Sequence, residues 1–272
     1  MKSANYMRLI IAFIIMISAA VYQRLTGPTH PINLNVQWQG AEISGQLSRS
    51  YDGEGNQPIE FTVPDTAVHA VLIHRRYHTD DRWIGMKMER QNDNLTGSLP
   101  HQPPAGKLEY FIQLKKGENY TTIPKDHRVV TRFTGFVPRY VLIPHILLMF
   151  IAMLLSAWAG LEAAFNNDKM YILTYLTGLF LFLGGMILGP VVQKFAFGEF
   201  WTGVPFGFDL TDNKTLVAMI GWAIAVWAAY KKKSARLWIV LAALILLLVY
   251  SIPHSVMGSE LDYKTMEIEV GK

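Results

Sequence analysis

Apolar positions along this 272-residue chain follow two different rules. Residues 9–22, 140–165, 170–192, 215–230 and 237–252 are nearly unbroken apolar runs, whereas residues 32–135 alternate apolar and polar positions. A hydrocarbon core about 30 Å thick takes roughly 20 apolar residues as a helix, and tilt or flanking residues accommodate a shorter run. The five runs therefore predict five membrane-spanning helices. In the alternating stretch Ile32, Leu34, Val36 and Trp38 share one strand face, as do Val68, Ala70, Leu72 and His74. Turn clusters such as Asp52-Gly53-Glu54-Gly55-Asn56 and Pro103-Pro104-Ala105-Gly106 divide it into about seven short strands, the spacing of a sandwich. The expected fold is a membrane protein in which a helical transmembrane bundle of about five helices carries an extracytoplasmic all-β sandwich domain.

The boundaries follow from the same contrast. Residues 1–25 form an N-terminal anchor, 26–138 the β-domain, 139–252 a four-helix membrane domain with an outer loop at 193–214, and 253–272 an acidic tail. The first run follows Lys2 and Arg8 and ends in Ser18-Ala19-Ala20, so it reads equally as a cleaved export signal; the anchor is the preferred reading. Lys2, Arg8, Lys169 and the basic turn Lys231, Lys232, Lys233 and Arg236 fall on one side when the runs are threaded alternately. Short positive loops stay in the cytoplasm, which puts the N-terminus inside and the β-domain, the 193–214 loop and the tail acids Glu260, Asp262, Glu267 and Glu269 outside. The expected location is the cell inner (plasma) membrane, with the lipid bilayer as first partner.

Composition narrows the chemistry. With 51% hydrophobic and 17% charged residues the chain is too apolar for an ordinary soluble protein, and its net charge of +4 is explained by the basic turn without a nucleic-acid partner. No cysteine is present, which excludes disulfides, thiolate metal sites, iron–sulfur clusters and covalent c-type haem. No phosphate loop, dinucleotide fingerprint or serine-nucleophile motif disposes it toward kinase, pump or dehydrogenase chemistry.

The run Leu108-Glu109-Tyr110-Phe111-Ile112-Gln113-Leu114, entered through Pro-Pro-Ala-Gly, resembles a late strand of an immunoglobulin or fibronectin type III domain, with Tyr110 placed for a tyrosine corner. That resemblance, carried to residues 32–135, implies a domain that docks a membrane or periplasmic protein and does not itself catalyse. His74, Arg76 and His78 share a strand face there and read either as an anion or metal patch or, more simply, as a solvated face countered by Asp80 and Asp81.

The outer side holds the sharper candidates. Ile-Pro-His occurs twice, at Ile143-Pro144-His145 and Ile252-Pro253-His254, both at the outer boundary in the threaded topology. Imidazoles at membrane depth are uncommon and tend to be paired or liganded, although each proline also ends or kinks a helix and each histidine can cap freed carbonyls. Between spans three and four lies an aromatic loop containing Glu199, Trp201, Phe206, Phe208 and Asp209, suited to the membrane interface or to stacking on a planar ligand. Residues 197–222, with Trp201-Thr-Gly-Val-Pro-Phe-Gly-Phe-Asp209 and Trp222, resemble the tryptophan-rich outer loop of the haem-handling cytochrome c assembly membrane proteins. Phe206 and Phe208 stand where that family shows tryptophans, and the family lacks an exported sandwich. The resemblance implies haem b or quinone held by His145, His254, Trp201, Phe206, Phe208 and Asp209 in an accessory or assembly protein of an envelope electron-transfer system. Two alternatives remain open: a metal-dependent membrane enzyme using His145, His254, Glu199 and Glu260 as a mixed nitrogen–oxygen ligand set, and a structural anchor displaying a binding domain. Gly185 and Gly189 read as a helix-packing face, and Glu162 as a group that reaches the inner interface or bonds a neighbour.

Overall fold

Long apolar runs become helices and the alternating stretch becomes sheet, with the elements longer than periodicity alone suggests. The computed structural model describes residues 2–254, 256 and 258–269. Two units emerge: a helical one from residues 1–28 and 137–258 with the last three residues, and a β unit from residues 29–136 with 259–269.

In the helical unit, α1 (Lys2–Thr26) precedes α2 (Arg139–Ala164). A continuous rod follows, made of α3 (Lys169–Leu181), a π-helical segment (Phe182–Leu188) and α4 (Gly189–Phe197). Then come α5 (Leu210–Lys231) and α6 (Ala235–Ser251). Three stretches, Tyr6–Thr26, Arg139–Ala164 and Lys169–Phe197, are long and apolar enough to cross a membrane, and Ala235–Ser251 is a shorter apolar helix, which suits a membrane protein. Small side chains set the packing. Ala152, Ala159, Ala163, Ala218, Ala225, Ala229 and Ala242 fill the shared core around the fully buried Trp222, so the helices approach by backbone and not through bulky knobs. Glycines permit this closeness: a Cβ on Gly160 would lie 2.7 Å from Ala243 Cβ on α6, one on Gly184 2.9 Å from Met149 Sδ on α2, and one on Gly185 2.9 Å from Thr215 Cγ2 on α5. Gly189, read with Gly185 as a packing face, also meets α2, where a Cβ would lie 3.9 Å from the His145 ring.

The first helix packs on α2 and α6. Its Arg8 forms an ion pair with Glu162, which is 0% exposed, and the Trp158 indole N–H donates to the same carboxylate at 3.0 Å. Glu162 thus bonds neighbours, one of the two expected roles. At the other end of α1, Gln23 Nε2 donates to the carbonyls of Tyr250 (2.8 Å) and Ile252 (3.3 Å), so the C-terminal ends of α1 and α6 meet.

The β unit has more strands than the turn spacing indicates. A five-stranded sheet runs β1 (Ile32–Trp38), β2 (Ala41–Leu47), β4 (Gln57–Thr62), β8 (Asn94–Leu99), β7 (Glu89–Gln91). A six-stranded sheet runs β3 (Ser50–Tyr51), β11 (Val129–Phe133), β9 (Lys107–Lys116), β5 (His69–Arg76), β6 (Ile84–Lys87), with β10 (Asn119–Ile123) also on β9. All these pairings are antiparallel except β3 with β11. Inward residues of both sheets, among them Ile43, Phe61, Leu72, Leu95, Tyr110, Ile112 and Phe133, share one core. The Tyr110 hydroxyl donates to Ser48 O at 2.8 Å, a distant strand end and not the nearby backbone of a tyrosine corner. The acidic tail is not a separate segment: β12 (Glu260–Leu261) and β13 (Ile268–Glu269) form a hairpin that belongs to the β unit. Leu261 N donates to Ala105 O at 3.1 Å, and the Tyr263 hydroxyl bonds both Gln102 Oε1 and Lys107 O at 3.0 Å.

The expected histidine face of β5 does not form. His74 is 3% exposed, points into the core, and has its pKa pushed down by burial. Arg76 binds Asp81, and His78 lies past the strand end with a left-handed backbone, its ring bonded to Glu260 at 2.8 Å.

Candidate functional site

Asp209-Leu-Thr-Asp212 carries the spacing of a helix N-terminal capping box. Asp209 caps α5, accepting from Thr211 N (2.8 Å) and Asp212 N (3.2 Å). The second acid turns elsewhere. Asp212 Oδ2 accepts from Thr202 N at 2.6 Å and Gly203 N at 3.1 Å, while Asn213 Oδ1 accepts from Val204 N at 2.8 Å. These bonds fold the aromatic stretch back on the start of α5 as a built loop. Trp201 closes on the loop itself, its indole N–H donating to Val204 O at 3.1 Å. Phe206 and Phe208 project outward, 81% and 74% exposed. They cover no protein surface.

One turn into α5, Lys214 is 7% exposed and donates to Ile252 O at 2.7 Å, a carbonyl freed where α6 ends. His145, in the second turn of α2, faces the π-helical segment, and its Nδ1 lies 3.0 Å from Gly184 O. A ring nitrogen facing a carbonyl carries the proton, so Nε2 keeps its lone pair. Metal-ligating histidines are held this way, with one ring N–H on a carbonyl and the other nitrogen free. His254, just beyond α6, lines one small cavity together with Lys214 and with Met149, which stands one turn along α2 from His145. The two Ile-Pro-His histidines therefore gather at one end of the bundle, with a lysine between their helices.

Beside Lys214 and His254 is a cavity of about 20 Å³ lined by Met149, Lys214, Thr215, Tyr250 and His254, with Leu181, Ala218 and Val249 as apolar wall; His145 lies one turn from Met149 on α2, outside the lining. The cavity has room for one water. The Tyr250 hydroxyl and, one turn below Ala218, the Trp222 indole N–H are buried without a hydrogen-bond partner. Buried polar groups of this kind are ordinarily satisfied by water or ligand.

The remaining expected residues do not join this cluster. Asp209 is a helix cap, Glu199 is exposed after α4, and Glu260 belongs to the β unit, where it holds His78 at 2.8 Å and Lys107 Nζ at 2.7 Å. Among the described residues no three His, Asp or Glu side chains come together in a group that could hold a metal ion. Tyr250 and Gly184 were not singled out from sequence, and Lys214 only as the last residue of the aromatic loop. A lysine near the start of an apolar helix was a visible signal, whereas the Gly184 carbonyl, which also accepts from Gly189 N within the π-helical backbone, has none. No protein-family model and no curated protein matches the chain.

Proposed function

We propose that the chain is a multi-pass inner-membrane accessory or assembly protein of an envelope electron-transfer system, holding haem or quinone at its outer face and docking a partner through an exported β-sandwich. The observation that carries the ligand half is that His145, its Nδ1 facing Gly184 O, stands one helical turn from the cavity that Lys214, His254 and the unpartnered Tyr250 hydroxyl line. Imidazole nitrogens suit an iron, and hydroxyl, indole and ammonium donors suit the carbonyl oxygens of a quinone. The cavity admits only a water-sized guest, so either ring enters by parting the surrounding helix ends. Phe206 and Phe208, anchored by a rigid loop yet uncovered, fit the headgroup layer. Gln23, by joining the ends of α1 and α6, supports a topology with both ends on the outer side. The test is the visible spectrum and organic extract of protein purified from native membranes. A Soret band or extractable quinone is expected, and lost when His145 and His254 are both replaced by alanine. A colourless, quinone-free protein ends the ligand reading and leaves an anchored docking module.

A further inference from the structure

Along β9 the side chains of Tyr110, Ile112 and Leu114 fill the core, so Glu109, Phe111 and Gln113 face out. The paired strand β5 sets Arg75, Ile73 and Val71 beside them. Phe111, Ile73 and Val71 therefore make an apolar band on the outer face of the six-stranded sheet. Next to Ile73 on β6 stands Gly85. With no side chain there, the band has a notch walled by Val71 Cγ1, 3.2 Å from where a Cβ would be, and Ile73 Cγ1 at 3.8 Å. Trp83, exposed just ahead of β6, meets Phe111 edge-on with ring centroids 5.2 Å apart. Two guanidiniums are stacked in place around them. Arg75 lies 4.5 Å over Trp83, and Arg128 lies 3.9 Å over Phe111 and 5.8 Å from Trp83.

Charge on this face has one sign. Its carboxylate, Glu109, is already bound by Arg75 Nε at 2.6 Å. Arg128, Lys87 opposite Val71 and Lys115 opposite His69 have no carboxylate partner among the described residues. Exposed tryptophan and arginine are the residues that most often anchor protein interfaces, and arginines already held by ring stacking lose little freedom on binding.

We propose that this face docks an acidic protein segment, whose carboxylates meet Arg128, Lys87 and Lys115 while one apolar side chain fills the Gly85 notch. Charge complementarity selects an acidic partner, and the exposed Trp83 beside arginines held by ring stacking selects a protein segment over fluid lipid headgroups. The inference rests on the β unit being a docking module and is independent of the ligand held by the helical unit.

The test uses the full chain in nanodiscs of neutral phosphatidylcholine, with a fluorescein-labelled peptide of glutamates around one leucine as probe. Binding should weaken at least ~10-fold in the Arg128→Glu/Lys87→Glu variant and fall steeply with added salt. Gly85→Val, which fills the notch, should weaken the leucine peptide and leave an all-glutamate control unchanged. The His145→Ala/His254→Ala variant should bind the peptide as the parent does, which separates failure here from failure of the ligand reading. Absent binding, equal binding by the charge-reversed variant, or preferential capture of phosphatidylglycerol vesicles through the same residues would overturn the proposal.

Discussion

The helical unit buries polar groups near both ends of α2, and the two ends treat them oppositely. At one end Glu162 is fully enclosed and satisfied, by Arg8 from α1 and Trp158 from its own helix. At the other, about 25 Å away at 1.5 Å per helical residue, stands His145, while Lys214 and His254 line a water-sized space beside Met149 of the same helix, with the Tyr250 hydroxyl lacking a partner. A closed network holds structure together. An open one has binding capacity left over, which is why the second end, and not the more conspicuous buried ion pair, is the candidate site.

The largest expected effect breaks the closed end. Arg8→Ala leaves the Glu162 carboxylate buried without its counter-charge and should cost about 3–5 kcal/mol. Adding Glu162→Gln should restore most of that loss in reversible detergent unfolding; failure of the double variant to recover would mean the pair is not what binds α1. Next, a half-buried tryptophan, Trp158, and a fully buried one, Trp222, sharpen the contrast. Trp158→Phe gives up a hydrogen bond to a charged acceptor and should cost about 1.5–3 kcal/mol. Trp222→Phe surrenders no such bond, so its cost should be that of lost ring volume alone, and equal polar losses at both would erase the distinction between the ends.

A smaller effect is expected from Gly184→Ala. Its methyl would press on Met149 Sδ and Leu148 Cβ, at 2.9 and 3.0 Å, which should cost about 1–3 kcal/mol. By shifting Gly184 O it should also free the His145 ring, seen as a changed imidazole nitrogen resonance; an unaltered resonance would detach His145 from the π-helical carbonyl. The smallest change belongs to Tyr250→Phe. Removing an unpartnered hydroxyl should leave stability within roughly 0.5 kcal/mol, while altering whatever ligand the purified protein carries. A large destabilisation would show the hydroxyl to be bonded in the folded protein.

Legibility in the sequence differed between the units for a physical reason. Strand alternation identified inward residues such as Leu34, Val68, Ala70 and Leu72, because a period of two leaves little choice of face. It misassigned His74, whose parity with Leu72 places it inside and whose polarity suggested outside; parity prevailed, with burial holding the ring neutral. In the helical unit the apolar runs located every helix but not which face meets which, since runs apolar on all sides carry no stripe. Asp209 illustrates the remainder. It was picked out by its place in an aromatic loop, yet its spacing to Asp212 was already that of a helix cap.

By itself the sequence determined the segregation into apolar helices and an alternating β region, the basic turn between α5 and α6, and the presence of two Ile-Pro-His segments, because these depend only on local composition and period. Tertiary structure decided that Glu162 is neutralised by α1, that the acidic tail returns to the β unit as a hairpin, and that His145 and His254 share their end with Lys214. Each of those joins residues far apart in the chain, through backbone carbonyls or close glycine contacts that no local pattern records.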